Sequence, residues 1–129
     1  MKKILIIDDE KDVITYLDTL FKNNGYDTIF ADNADDGIEK AKTEKPDLVS
    51  LDIVMPGKSG IQVYRALRDD EQLKRIPIII VTAATGYRNE PEGFKKFLST
   101  RRNYPPPDGF VPKPIDKEEL IKEVKDLIG

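Results

Sequence analysis

Apolar and polar positions fall along the chain in two kinds of block. Ile4 to Ile7 is apolar at every position, the pattern of a strand covered on both faces. Val13, Ile14, Leu17, Leu20 and Phe21 then recur at helical spacing, and Asn24-Gly25 supplies a stop. Thr28 to Ala31 predicts a short second strand. Ala34, Ile38 and Ala41 predict a helix that Pro46 keeps from continuing. Leu48 to Leu51 is a third strand, followed by the loop Met55-Pro56-Gly57-Lys58-Ser59-Gly60. Ile61, Tyr64 and Leu67 mark a third helix, and Pro77 to Val81, rich in β-branched residues, a fourth strand. The stretch Ala83 to Asp108 is the least regular. Asn89-Glu90-Pro91-Glu92 suits a helix start, Phe94, Phe97 and Leu98 give one short apolar stripe, and Pro105-Pro106-Pro107 predicts an extended connection. Phe110–Val111 is a brief fifth strand. Asp116 with Glu119 forms a capping box ahead of a last helix carrying Leu120, Ile121, Val124, Leu127 and Ile128.

Strand and helix patterns thus alternate five times, as (βα)₅. The 129 residues suit one α/β domain over 1–129, with no repeat and no interdomain linker. Helical crossovers require a parallel sheet, and right-handed connections place helices on both of its faces. The flavodoxin-like doubly wound order 2-1-3-4-5 sets the first strand beside the third. That order brings Asp8 and Asp9 next to Asp52.

Four of these five strands deliver a polar group near the C-terminal end: Asp8 and Asp9, Asp52, Thr82 and Lys113. In an open parallel sheet those ends converge on one crevice, the usual place for a ligand. Composition narrows the chemistry. There is no Cys and no His, so thiolate and imidazole chemistry are excluded and the chain cannot be a phosphohistidine donor. Lys and Arg total 21 against 24 Asp and Glu, a formal net charge of −3, too mild to call for nucleic acid. The apolar run after Met1-Lys2-Lys3 is too short for a signal peptide and meets Asp8, Asp9 and Glu10 at once. No run approaches a membrane span, and a cytoplasmic location is expected.

Taken alone, Asp8, Asp9 and Glu10 suit the start of a helix, where acids complement the dipole. With Asp52 beside them they repel one another unless a cation intervenes, and a hard divalent ion such as Mg²⁺, or Mn²⁺ in its place, suits such a site. Asp52 is the candidate nucleophile, because a carboxylate can attack phosphorus to give an aspartyl phosphate. Taken alone it is also an ordinary turn residue after a strand. Thr82 is followed by the small Ala83 and Ala84, which leave room for a phosphoryl oxygen beside its hydroxyl. Lys113 can reach the crevice from a strand end, and a cis bond to Pro114 would help aim it.

The set Asp8–Asp9, Asp52 with Met55-Pro56 and Gly60, Thr82-Ala83 and Lys113-Pro114 resembles the receiver domain of two-component response regulators, along the whole chain. The resemblance implies that Asp52 accepts a phosphoryl group from a phosphohistidine on a sensor histidine kinase or histidine phosphotransfer protein. It implies Asp9 and Asp52 as Mg²⁺ ligands, with the Val54 backbone carbonyl as a third and Asp8 acting through water. It implies that Lys113 pairs with the phosphate and that Thr82 moves to bind it. Phe110 matches the aromatic switch position that turns inward as Thr82 moves. The output would be a switched surface for a downstream protein target, with no nucleic acid contact and no membrane contact by this domain. The protein would catalyse only its own phosphorylation and dephosphorylation. No output domain is recognisable after the last helix, so a stand-alone receiver is expected, and one cut from a longer regulator is also compatible.

Two departures stand out. Thr82 and Lys113 lie 31 positions apart, more than is usual in receivers. The surplus falls in a locally basic stretch with Arg88, Lys95, Lys96, Arg101 and Arg102, where a specialised partner surface around Lys95 to Tyr104 is one expectation and a tolerated insertion the other. Val54 and Ala84 occupy the positions that tune phosphoryl lifetime in the family. Neither can hold an attacking water by a side-chain hydrogen bond, so slow self-dephosphorylation is expected. A phosphorylation-independent interaction module of the same fold is the alternative function. An Asp-nucleophile phosphatase is disfavoured, because such enzymes carry Asp-x-Asp after the first strand and here the two acids are adjacent.

Overall fold

Strands that are almost wholly apolar form the centre of a parallel sheet, and the amphipathic segments between them form its two covers. In a computed structural model, residues 1–53, 55, 60–82 and 107–129 are described, Thr82 through its backbone. The strands are β1 (Lys3–Ile7), β2 (Asp27–Ala31), β3 (Leu48–Leu51), β4 (Ile78–Thr82) and β5 (Gly109–Pro112). The helices are α1 (Lys11–Asn23), α2 (Ala34–Glu44), α3 (Gly60–Asp69) and, after β5, α4 (Lys117–Ile128). The sheet order is β2-β1-β3-β4-β5, parallel throughout, as the alternation of elements predicts.

Successive residues of the buried strands serve opposite cores. Leu5, Ile7, Val49, Leu51, Ile78 and Ile80 face α2 and α3, where they meet Ala34, Ala41, Val63, Tyr64 and Leu67. Ile4, Ile6, Leu48, Ile79, Val81 and Val111 face α1 and α4, where they meet Ile14, Leu17, Phe21, Leu120 and Val124. The two-residue period of a strand therefore persists inside an apolar run that hides it. Each such aliphatic side chain contributes about 1.5–3 kcal/mol on burial. That double cover makes β1, β3 and β4 a rigid platform for whatever their C-terminal ends carry.

Local signals end the helices where expected. α1 stops at Asn24, and Gly25 follows with φ +90°, a conformation that suits a residue without Cβ. α2 begins at Asn33, whose side chain accepts from the Asp36 N–H, and ends at Lys45 in the left-handed region, one residue before Pro46. α4 is capped by Asp116, which accepts from the Glu118 and Glu119 amides.

At the N-terminal ends of β4 and β5 a second device fixes register. Arg68, at the end of α3, donates from Nη1 to the carbonyls of Lys74 (2.9 Å) and Ile76 (2.7 Å), and from Nη2 to Asp108 Oδ2 (2.8 Å). The same carboxylate oxygen accepts from the Ile78 N–H at 2.9 Å, and the Asp108 amide donates to the Ile78 carbonyl. Asp108 is thereby pinned to the start of β4, and β5 enters the sheet with Gly109 opposite Ile79. Most of the irregular stretch, from Ala83 through Pro106, lies outside the described residues, and with it the expected helix start at Asn89 and the proposed surface around Lys95 to Tyr104. Of the three prolines only Pro107 is described, and it is buried.

Candidate functional site

Asp8 follows β1 directly and is held by its backbone, its N–H donating to the Ala31 carbonyl of β2 at 3.1 Å. Its Oδ1 accepts from the Glu10 N–H at 2.9 Å, which turns the chain into α1. Asp52 follows β3, and its N–H donates to the Ile7 carbonyl at 2.9 Å, so the central strands set the two carboxylates side by side. Both are buried, Asp8 2% and Asp52 4% exposed. Lys113 arrives from the far edge, one residue beyond β5, and its bond to Pro114 is cis. Its Nζ lies 2.9 Å from Asp8 Oδ2, 3.1 Å from Glu10 Oε1 and 3.4 Å from Asp52 Oδ2.

Carboxylate oxygens of Asp8, Asp9, Glu10 and Asp52 all lie within 4.8 Å of one another. Among the described residues, four carboxylates thus cluster at the end of the sheet, and one ammonium, that of Lys113, contacts three of them. Burial pushes the Asp8 carboxyl above its ordinary pKa, and the Asp52 charge adds to the push, while the Glu10 amide and Lys113 work against it. Burial pulls Lys113 down, but Asp8, Asp52 and Glu10 together outweigh it and hold the ammonium above its ordinary pKa. Among the described residues the cluster keeps an excess of negative charge and offers hard oxygen donors, a set that fits a small divalent cation.

The C-terminal end of β3 is also shaped by packing. The Gly60 N–H donates to the Ile53 carbonyl at 3.1 Å, and a Cβ on Gly60 would stand 2.2 Å from the Asp52 carbonyl oxygen and 2.4 Å from the Ile53 Cα. α3 therefore starts in backbone contact with the turn that carries Asp52, which only glycine permits. Thr82 is the last residue of β4, in register with Pro112, so it ends at the same edge of the sheet as Lys113. Phe110, opposite Ile80 in β5, is half-buried against the core on the α2–α3 face. The Glu123 carboxylate of α4 accepts from its N–H. Val54, residues 56–59 and Ala84 lie outside the described residues.

The profile of the response regulator receiver domain matches residues 4–125. The chain belongs to that family. Protein PilH of Pseudomonas aeruginosa is 34% identical over 129 residues, covering 100% of this chain and 99% of its own length. The alkaline phosphatase synthesis transcriptional regulatory protein PhoP of Bacillus subtilis is 35% identical over 127 residues, covering 98% of this chain and 48% of its own. The chain therefore spans about half of that regulator. Among solved structures, the response regulator TrrA of Thermotoga maritima, in complex with Mg²⁺ and BeF, superposes with a TM-score of 0.81 at 32% identity, covering 99% of this chain and 100% of TrrA. The Vibrio cholerae chemotaxis protein CheY4 superposes at 0.82 with 26% identity and 99% coverage of both chains. This is a receiver of the CheY-like fold, a module of phosphorelay signalling, and its acidic cluster fits the family's phosphoacceptor site.

The receiver site gathers Asp8, Asp9, Asp52 and Lys113 as the strand-end pattern predicts. Glu10 is the member that sequence reading gave no role beyond the start of α1. Its side chain makes no cap hydrogen bond and turns to Lys113 instead. The run of three acids after β1 is the signal that points to it, but a third acid in sequence also suits a helix start. No helix among the described residues is long and apolar enough to cross a membrane.

Proposed function

We propose that this receiver accepts a phosphoryl group on Asp52 from a phosphohistidine of a sensor histidine kinase or a histidine phosphotransfer protein. The observation that carries the proposal is the buried Asp52 carboxylate, beside Asp8 and joined to it through the Lys113 ammonium at the mouth of the sheet. Asp52 attacks phosphorus; an O–P bond forms, the P–N bond to the donor imidazole breaks, and the imidazole leaves with the electron pair. Such transfers depend on positioning and charge neutralisation more than on a strong base. Asp8, Asp9 and Asp52, with the Val54 carbonyl, are the residues that would hold Mg²⁺ or Mn²⁺, which would supply charge neutralisation to the incoming phosphoryl oxygens. Lys113 pairs with a phosphoryl oxygen and the Thr82 hydroxyl takes another. Movement of Thr82 toward the phosphoryl group lets Phe110 turn inward, which changes the surface offered to a downstream protein.

The receiver constitutes one domain over 1–129, acts in the cytoplasm, and catalyses only its own phosphorylation and dephosphorylation. With Val54 and Ala84 at the tuning positions, its phosphoryl group is long-lived. Intact mass after incubation with acetyl phosphate tests the central step. A gain of one phosphoryl group with Mg²⁺, lost with EDTA and lost in Asp52→Ala, is expected. A gain that persists in Asp52→Ala would overturn the assignment of the acceptor.

A further inference from the structure

Glu10 occupies the N-cap position of α1, where an acid ordinarily bonds the helix's free amides. Here it makes no side-chain cap bond, and its Oε1 lies 3.1 Å from Lys113 Nζ, 103 positions away in sequence. Its own amide is engaged by Asp8 Oδ1. The Glu10 side chain is 59% exposed, whereas Lys113 is 11% and Asp8 2% exposed. Of the three carboxylates on Lys113, two are thus buried and fixed by strand ends, and one sits outside on a side chain free to swing into solvent.

We infer that Glu10 is a positioning residue that restrains Lys113 and competes with the phosphoryl group for its ammonium. The inference rests on the receiver reading above. A phosphoryl oxygen on Asp52 needs a donor from Lys113, and an ammonium has three protons to give. In the structure they are directed at Asp8, Glu10 and Asp52. The bond to Glu10 is the one that can be surrendered, because an exposed ion pair is weak and its acid regains full hydration on release. Glu10 therefore lowers the affinity of the site for phosphoryl-like ligands by a small factor, and sets how readily the switched state forms.

The test compares the full chain with Glu10→Gln and Asp12→Asn. Asp12 lies in the first turn of the same helix, so its variant removes one negative charge nearby without touching the Lys113 contact. Beryllofluoride is titrated at saturating Mg²⁺ by calorimetry. The expected result is binding about two- to five-fold tighter in Glu10→Gln, the scale of one exposed ion pair, with Asp12→Asn matching the parent. In EDTA, the Lys113 ¹⁵Nζ resonance, assigned with Lys113→Arg, is expected to move in Glu10→Gln and to stay in Asp12→Asn. Equal tightening in both variants would assign the effect to general charge and overturn the restraint. Unchanged or weaker binding in Glu10→Gln, with the parent binding normally, would overturn it while leaving the receiver reading in place. A parent that binds no beryllofluoride with Mg²⁺ would overturn both.

Discussion

Two ion-paired clusters stand at opposite ends of this sheet, and their charge balance differs. At the N-terminal ends of β4 and β5, one guanidinium meets one carboxylate and two carbonyls, and lies 5.0 Å over the Tyr64 ring. At the C-terminal ends, one ammonium meets three of four clustered carboxylates, two of them buried. The first arrangement neutralises what it buries and fixes the register of β5. The second, among the described residues, leaves negative charge in excess, which costs stability and is useful only if a cation and an anionic group arrive together. Charge imbalance, more than the presence of ion pairs, separates the working end of the receiver from its structural end.

The largest expected effect moves the frame of the working end without touching its charges. In Gly60→Ala the new Cβ must displace the Asp52 and Ile53 backbone. A loss of about 2–3 kcal/mol in urea unfolding is expected, the scale of overpacking, together with at least about a ten-fold fall in the acetyl phosphate reaction of the folded protein. Normal reactivity would show that Asp52 is placed independently of the α3 start.

Next comes the balanced end. Arg68→Met leaves Asp108 without its guanidinium and two carbonyls without their donor. Unfolding free energy is expected to fall by about 2 kcal/mol, discounted because Asp108 is 37% exposed. Phosphorylation per folded molecule stays near that of the parent if this cluster is purely structural. A large loss of phosphorylation would break the contrast, by showing that β5 register reaches Lys113.

The smallest effect has the opposite sign. Burial and Asp52 raise the Asp8 pKa in the folded state, so the charged form is penalised by folding. The contribution of Asp8 to stability is full below the unfolded carboxylate pKa and is lost as pH rises through the higher folded value. Asp8→Asn is therefore expected to stabilise the metal-free protein at pH 7 by about 1 kcal/mol, the usual scale of charge relief, while weakening Mg²⁺ binding. The gain shrinks as pH falls into the range where Asp8 is protonated in both states. Urea unfolding in EDTA across that range checks it, and a gain that does not change with pH would point to packing instead.

Much of the receiver was legible in local pattern. The apolar runs at Ile4, Leu48 and Ile78 placed the three central strands, because a strand covered on both faces has no polar phase. Asn24-Gly25 and Pro46 marked helix ends through backbone chemistry that needs no distant partner. The strand-end acids and Lys113 were legible because parallel topology carries such ends to one crevice whatever the loops do. The amino-acid sequence by itself therefore determined the order of the described elements, the sheet order and the convergence of Asp8, Asp9, Asp52 and Lys113 on one edge. Tertiary structure decided what position alone leaves open: that Glu10 forgoes its cap bond for Lys113, that Gly60 must lack a Cβ because α3 touches the turn carrying Asp52, and that Arg68 reaches Asp108. The reason is distance along the chain. A helix or strand is specified by neighbours a few residues away, whereas a rotamer, a backbone contact or an ion pair is chosen by groups up to 105 positions apart, which meet only when the sheet has set its register.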